Sequence, residues 1–411
     1  LCGIAQSVPQ LAIFRAIQGI GGGALMPIAF TIVFDIFPPE KRGKMTGLLG
    51  AVFGASSVLG PLLGAFITDT ISWHWVFYVN VPIGIVSLFL ILKFYKETKQ
   101  STKLKIDWLG AITLITAVVS LMFGLELGGK EFAWNSWQSF TLFGIFVVFS
   151  IVFLWAETKA SEPIISFWMF KNRLFASSQV LAFLYGATFV GLTIFIPIFV
   201  QAVYGGSATN AGIILMPMLL GSVAGSAFAG ITQTKISYQK IMAISVVFYT
   251  IGMALMSTIS PDTSRVLLTL YMMLVGLGVG FSFSLLPSAS MHKMDYRHRG
   301  SANSTNSFFR SLGLALGITI FGSLQTKLLT SEIQDKLGSS NQGASETIDN
   351  LQTVFQPDQR ELIPPNILDV IVNAMANSIS ATFLWSLIPI TIAIVAVYFM
   401  GNEKLEVSKE K

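Results

Sequence analysis

Eleven apolar stretches of about 20 residues or more dominate the sequence and leave few ways for it to fold. About 20 residues of helix cross the hydrocarbon core of a bilayer. Only 11% of the residues are charged, against about 25% in soluble domains, so the chain cannot cover a water-facing surface. We therefore predict an all-α polytopic membrane protein. The predicted spans are 10–36, 45–68, 75–95, 108–128, 138–157, 174–200, 211–231, 240–258, 266–289, 302–325 and 379–400.

Composition also excludes several classes of protein. The single cysteine, Cys2, rules out a disulfide framework and a cysteine metal site. The three histidines, His74, His292 and His298, fall in predicted loops, so we expect no metal and no cofactor beyond a proton gradient. We attribute the net charge of +5 to the loops of a membrane protein and not to nucleic-acid binding. The chain starts at Leu1 in an apolar context without a signal-peptide pattern, and we expect a fragment whose first helices are missing.

Lysine and arginine divide the loops into two alternating sets. One set, including the tail, carries 19 of the 26 basic residues and the other carries five, while Arg15 and Arg310 lie within spans. By the positive-inside rule the richer set is cytoplasmic. We therefore expect a multi-pass protein of the cell membrane with a cytoplasmic C-terminus.

A shift of 257 residues superimposes two parts of the sequence. The glycines at 19, 21 and 23 fall on those at 276, 278 and 280, and the Arg-Gly pair at 42 falls on the one at 299. Both copies have the same expected orientation, which makes this a parallel repeat. The spans between the copies exceed a six-helix repeat by two, and we interpret the pair at 108–157 as an insertion.

The repeat predicts four parts. They are the remainder of an N-terminal bundle at 1–95, an inserted helix pair with linkers at 96–173, a C-terminal six-helix bundle at 174–401 with an extracellular loop at 326–378, and a cytoplasmic tail at 402–411. About three helices would precede residue 10, so the whole protein would have fourteen.

Three motifs resemble those of major-facilitator transporters. Leu11-x3-Arg15-x2-Gln18-Gly19-x-Gly21-Gly22 is similar to their fourth-helix motif, and Gly60-Pro61-Leu62-Leu63-Gly64 is similar to the antiporter motif of the fifth helix. The run 72–84 resembles the signature that follows in fourteen-helix drug:proton antiporters of the EmrB/QacA type. The resemblance implies two six-helix bundles, an inserted hairpin and alternating access.

Arg15 and Gln18 lie on one face of the first span. An arginine in hydrocarbon should face protein or a wet cavity, and the resemblance implies that Arg15 lines the central cavity and tunes a carboxylate. Snorkelling to the outer interface is the alternative. Asn303, Asn306 and Arg310 form a second polar stripe, which either lines the cavity or bonds neighbouring helices.

The carboxylates limit the mechanism that can be predicted. Asp69 and Glu126 lie at outer helix ends, as accessory proton sites or as solvated boundary residues. The resembled family carries its coupling acid on the first helix, so we expect this fragment alone to be inactive.

Two further groups are candidate moving parts. Gly60, Pro61 and Gly64 either form a bendable interface between the bundles or serve ordinary packing. The cytoplasmic turns carry gating candidates that pair with acids or merely follow the positive-inside bias. These are Arg42, Gly43, Arg299 and Gly300.

The resemblance implies a proton-coupled multidrug efflux transporter, a monomer in the lipid bilayer that exports amphipathic, often cationic small molecules. The alternative is a dedicated exporter of one metabolite, antibiotic or lipid-like compound. An enzyme is disfavoured because the three histidines have no acid partners at useful spacing. A channel is disfavoured because the sequence shows no polar rings.

Overall fold

In the computed structural model, every regular element of the described residues is helical. The structure describes residues 1–95, 106–128, 131–205, 208–337 and 364–405. Two short 3-10 turns, Cys2–Ile4 and Phe167–Lys171, accompany the α-helices. The helices are α1 (Val8–Ile36), α2 (Pro39–Thr70), α3 (Trp75–Tyr78), α4 (Asn80–Phe94), α5 (Trp108–Leu127), α6 (Trp137–Lys159), α7 (Arg173–Tyr204), α8 (Ala208–Thr232), α9 (Tyr238–Met256), α10 (Arg265–Ser290), α11 (Tyr296–Leu337), α12 (Pro365–Trp385) and α13 (Leu387–Phe399).

Local sequence explains where many of these helices start and stop. Ser7, Ser237 and Ser264 each cap a helix N-terminus with a side-chain oxygen that accepts a backbone N–H. The Asn172 side chain accepts two such bonds at the start of α7. That helix ends at Gly205 with φ of 65°, a left-handed conformation that glycine adopts without strain.

The helices agree with the predicted spans. Ten helical segments of the described residues are long and apolar enough to cross a membrane. They match every predicted span except 45–68, which coincides with the 32-residue helix α2.

The expected loop at 326–378 is much shorter than predicted. Helix α11 continues to Leu337 and α12 begins at Pro365, so both ends of that range are helical, and residues 338–363 lie outside the described part. The extensions pack on each other, Asn377 donates to Glu332 at 3.1 Å, and Ile333 and Ile371 are buried. Hydropathy did not predict these helical extensions because their outer faces carry charged residues.

Following the sequence repeat, we call α1–α4 the first lobe and α7–α13 the second lobe. Helices α5 and α6 pack mainly on each other and form a hairpin, while α2 of the first lobe packs closely on α8 of the second. Most buried side chains lie in the second lobe, where Tyr185 bonds Ser245 at 2.8 Å and Tyr249 donates to Thr188 at 2.8 Å. The hairpin rests against α11, with Leu114 and Phe153 facing Phe308 across an apolar pocket.

The helical bundle has a basic end and a far end. The basic end comprises the corners at 37–44 and 291–301, the turn at 233–237 and the tail at 400–405. The tail docks there, since Tyr238 N donates to Glu403 O at 2.8 Å and Leu405 N donates to Gln233 O at 2.9 Å. The far end comprises the corners at 71–74 and 257–264.

Candidate functional site

A cavity of about 230 Å³ lies between the two lobes. Helices α1 and α2 supply one wall, with Gly23, Met26 and Phe53. Helices α10 and α11 supply the other wall, with Phe283 and Arg310. The described residues that line it are mainly apolar and aromatic, and none of them is a carboxylate.

Arg310 is the cation of this cavity. Its guanidinium donates to the carbonyl oxygen of Ser282 at 3.0 Å and to the hydroxyl oxygen of the same residue at 3.4 Å. It also lies 5.1 Å from the ring centroid of Phe283. Hydrogen bonds and a cation–π contact thus stabilise a charge that would be costly on a lipid-facing surface.

Asn303 and Asn306 belong to the same polar stripe, for which the sequence left cavity lining and helix-to-helix bonding as alternatives. Asn306 lines the cavity and donates to Ser178 O at 3.3 Å and Gln179 Oε1 at 3.2 Å. Asn303 donates to the carbonyl oxygen of Pro27 at 2.8 Å, which joins α11 to α1 across the lobes. The stripe therefore combines cavity lining with helix-to-helix bonding.

An ion pair closes the basic end of the lobe interface. Arg299 Nη1, at the start of α11, lies 3.3 Å from Asp35 Oδ1, at the end of α1. The two side chains are only 21% and 18% exposed. The pair therefore links the lobes in a partly desolvated position, where attraction is stronger than on an open surface.

The two Arg-Gly corners have the same local geometry. Arg42 Nε donates to Phe37 O at 3.0 Å, and Arg299 Nε donates to Met294 O at 3.2 Å. Phe37 and Met294 are themselves 257 residues apart, so the sequence repeat extends to a repeated side-chain contact. Each arginine stabilises the corner between two helices, and Arg299 additionally binds the opposite lobe.

Small residues pack α2 tightly on α8 along the half nearest the basic end. A Cβ on Gly43 would collide with Gly230 O, and one on Gly47 would lie 3.1 Å from Gly230 Cα. Ser226 Oγ donates to Gly47 O at 3.1 Å. Gln233 Nε2 donates to Thr46 Oγ1 at 2.9 Å. We call this contact the seam, and it brings two backbones closer than any larger residue would allow.

The antiporter-type motif lies on the other half of α2. A Cβ added at Gly60 or Gly64 would meet no described atom within 4 Å. Pro61 lies within the continuous helix α2, and its side chain lies outside the described part. Gly300, in the second Arg-Gly corner, is similarly open.

Arg15 and Gln18 do not lie with Arg310. Both are exposed, Arg15 Nη1 donates to Gln18 Oε1 at 2.7 Å, and the guanidinium lies 5.9 Å from the Phe77 ring. Gln18 borders a separate pocket of about 300 Å³ near Tyr78. The structure thus places Arg15 and Arg310, both of which were candidates for the central cavity, in two separate clusters.

The two predicted accessory acids lie away from the cavity. Asp69 is exposed in the last turn of α2, and Glu126 is exposed near the end of α5. A third acid, Glu157, is buried and accepts backbone N–H groups from Ile164 at 3.2 Å and Ile165 at 3.0 Å. Its contacts are those of a structural carboxylate.

Sequence reasoning missed the seam and the Asp35 partner. A signal for the seam was present, because Gly43, Gly47, Gly50 and Gly54 follow a heptad-like spacing on one face of α2. No local signal could pair Asp35 with Arg299, since 264 residues separate them.

These features define a class of protein: a bundle of membrane-length helices around an internal cavity, with two equivalent Arg-Gly corners. Residues 1–318 match the Major Facilitator Superfamily, and the chain belongs to that family. It is therefore a multi-pass membrane protein of a transporter family.

Two proteins of Bacillus subtilis are similar to this chain over its full length. Multidrug resistance protein 3 of Bacillus subtilis (strain 168) is 61% identical over 414 residues, which cover 100% of this chain and 81% of that protein. Multidrug transporter protein MdtP of the same strain is 33% identical over 436 residues, with 100% and 81% covered.

A solved structure agrees with the fold. A bacterial homolog of the human lysosomal transporter Spinster, in an inward-facing and occupied conformation, matches with a TM-score of 0.53 at 17% identity. The match covers 96% of this chain and 78% of that one. At that identity the likeness concerns the fold alone.

Proposed function

We propose that the protein is a multidrug efflux transporter that exports amphipathic, often cationic small molecules in exchange for protons. The observation that carries the proposal is the cavity between the lobes, which combines aromatic walls with the positively charged side chain of Arg310. The 61% identity to a protein named for multidrug resistance supports the same substrate class. Apolar, aromatic walls can bind varied apolar ligands because van der Waals contacts between wall and ligand are not directional.

Alternating access follows from the way the lobes meet. The seam and the Asp35–Arg299 pair join the lobes at the basic end, whereas Gly60 and Gly64 are open toward the far end. We propose that the basic end is cytoplasmic and that this arrangement is the outward-facing state. Breaking the pair and separating the seam would then open the cavity to the cytoplasm, with Arg42, Gly43, Arg299 and Gly300 as the gate.

The antiporter-type motif has a role in the opposite state. We propose that the region of Gly60, Pro61 and Gly64 closes against the second lobe when the basic end opens. Small residues four positions apart allow close helix approach, and proline weakens one backbone hydrogen bond so that α2 can bend.

Proton coupling rests on charge in and around the cavity. We propose that Arg310 and Asn306 contact substrate or tune a proton-binding group, and that Arg15 and Gln18 do so at the second cluster. Asp69 and Glu126 are proposed accessory proton sites near the far end. A cation beside a titrating carboxylate lowers its proton affinity, which is the coupling that an antiporter requires.

The fourteen-helix antiporter type is the finer class that we propose. The support is the α5–α6 hairpin inserted between two lobes that the repeat relates. We also propose that the C-terminus is cytoplasmic, because the basic residues concentrate at the end where the tail docks. Since one chain encloses the cavity, we propose a monomer.

Ethidium efflux tests the function. The full-length gene is expressed in cells that lack their own efflux pumps, and ethidium loss is followed with and without an uncoupler. The proposal predicts efflux that the uncoupler abolishes and a second drug such as norfloxacin inhibits. Accumulation of one native metabolite in the knockout, with no drug efflux, would instead indicate a dedicated exporter.

A further inference from the structure

The second lobe carries an elongated apolar groove on its outer surface that the transport proposal does not use. It lies between α9 and α13 and has a volume of about 500 Å³. Both helices belong to segments long and apolar enough to cross a membrane. The groove is therefore open to the bilayer and away from the cavity between the lobes.

The shape of the groove comes from small side chains on one face of α9. Ala243, Val246 and Thr250 recur at helical spacing and leave room beside α13. Val246 and Val397 form its buried floor, at 4% exposure each, and Val247 stands at its exposed rim. The result is a channel along the helix axis.

The length of the groove matches one leaflet of a membrane. From Lys240 to Ile251 the helix α9 rises by about 16 Å at 1.5 Å per residue. Half of a hydrocarbon core is about 15 Å thick. One extended acyl chain, entering at the basic end, would therefore occupy the groove over its full length.

The charged and amide side chains of the groove lie at one end, while the Thr250 hydroxyl near the other end donates to the backbone oxygen of Val246 at 2.6 Å. Gln239, Lys240 and Tyr398 surround its mouth at the basic end. Gln239 Nε2 donates to Tyr398 O at 2.9 Å, which ties α9 to α13 there. Lys240 is exposed, and its ammonium has no ion-pair partner within the described ranges.

The charges near the mouth favour an anion. The acid that the docked tail brings close is Glu403, whose carboxylate lies 2.9 Å from His292 Nε2 and 3.2 Å from the ammonium group of Lys293. Its charge is thus neutralised by Lys293. Lys235 and Lys404 are further exposed cations at the same end.

We propose that this groove binds a phospholipid with an anionic headgroup, with the phosphate at Lys240 and one acyl chain along α9. The observations behind it are a leaflet-length apolar groove and a cation at its membrane-surface end. If the basic end is cytoplasmic, as proposed above, the lipid comes from the leaflet that carries anionic lipids. The bound lipid would join α9 and α13 on the side opposite the lobe interface.

Native mass spectrometry tests the headgroup. Purified protein is titrated with phosphatidylglycerol or phosphatidylcholine, and the retained lipids are counted. We expect phosphatidylglycerol to be retained preferentially, and Lys240→Gln to weaken that retention about fivefold. Lys404→Gln is the matched control, since it removes a cation at the same end outside the groove, and should change retention less than twofold. Equal retention of the two lipids, or equal losses in the two variants, would overturn the proposal.

A second pair of variants tests the acyl-chain channel. Val247→Trp fills the groove from its exposed rim, whereas Ile392→Trp places the same ring on an exposed position outside the lining. Both positions face the bilayer, so both variants should fold. We expect the first to displace bound phosphatidylglycerol and the second to leave it bound. Unchanged retention in Val247→Trp would show that the lipid does not occupy the groove.

Discussion

Removing the ion pair between Asp35 and Arg299 should open the basic end of the protein. The two groups lie 3.3 Å apart and join helices of opposite lobes. Arg299→Gln removes the charge while retaining a side chain that can still donate to Met294 O. We therefore expect this variant to shift the conformational equilibrium without unfolding the corner.

The size of the shift follows from the geometry. Two unit charges at 3.3 Å attract by about 5 kcal/mol at an effective dielectric constant near 20. Desolvation of the two mostly buried groups cancels much of that gain, which leaves about 1.5 kcal/mol net. A change of that size is roughly tenfold in the ratio of closed to open molecules.

Distances between spin labels measure this ratio. Cys2→Ala removes the single native cysteine, and Lys41→Cys with Lys235→Cys places labels on opposite lobes at exposed positions of the basic end. Pulsed electron paramagnetic resonance then gives the distance distribution. Arg299→Gln should lower the ratio of short to long distances roughly tenfold.

Two further variants make the result decisive. Arg297→Gln is the matched control, because Arg297 lies on the same turn of α11 but binds Glu162 of the linker after the hairpin. It should leave the distribution unchanged. The exchanged pair Asp35→Arg with Arg299→Asp should restore short distances. If Arg299→Gln behaves like Arg297→Gln, or if the exchange restores nothing, the pair does not hold the gate.

Three other predictions follow from the structure. Gly47→Leu should separate the seam, because even the Cβ of the new side chain would lie only 3.1 Å from Gly230 Cα. Ethidium efflux should then fall more than tenfold, whereas the control Gly144→Leu, on an open face of the hairpin, should retain efflux. Arg310→Gln should reduce efflux by tenfold or more in the same assay, and Arg310→Lys should lose less if the charge is what matters. Glu157→Gln loses an acceptor for one of two backbone N–H groups, so it should cost about 1–2 kcal/mol and lower the Tm measured by thermal unfolding in detergent, with efflux retained at permissive temperature.

The approximate positions of the membrane-length helices could be predicted from hydropathy because apolar length alone decides whether a segment can cross a bilayer. The repeat was also visible, since Arg42 and Arg299 occupy equivalent corners with equivalent bonds. Local sequence sets both features, which is why they needed no knowledge of the tertiary packing.

The facing of side chains could not be predicted with the same success. Helical periodicity places Arg15 and Arg310 each on a polar face, but it gives no information about which neighbour that face meets. The structure brings Arg310 to Phe283 in the cavity and Arg15 to Phe77 in another pocket. Contacts across hundreds of residues decide the difference.

Motif resemblance drew attention to one half of α2 and away from the other. Gly60 and Gly64 carry the motif, yet the close backbone approach in this structure is at Gly43 and Gly47. The prediction of a loop over 326–378 was wrong for a different reason. Hydropathy detects helices only where lipid surrounds them, and the ends of α11 and α12 are amphipathic helices that cover each other.

The length of α11 has a mechanical consequence. Its 42 residues make an uninterrupted rod of about 63 Å, roughly twice the thickness of a hydrocarbon core. It is anchored beside Asp35 at one end, passes the cavity at Arg310, and ends alongside α12, where Asn377 donates to Glu332 at 3.1 Å. If α11 and the packed end of α12 turned together by about 10° about the end beside Asp35, the tip near Lys336 would move by roughly 10 Å. A fluorophore on that tip would therefore report small movements at the opposite membrane surface as a larger displacement.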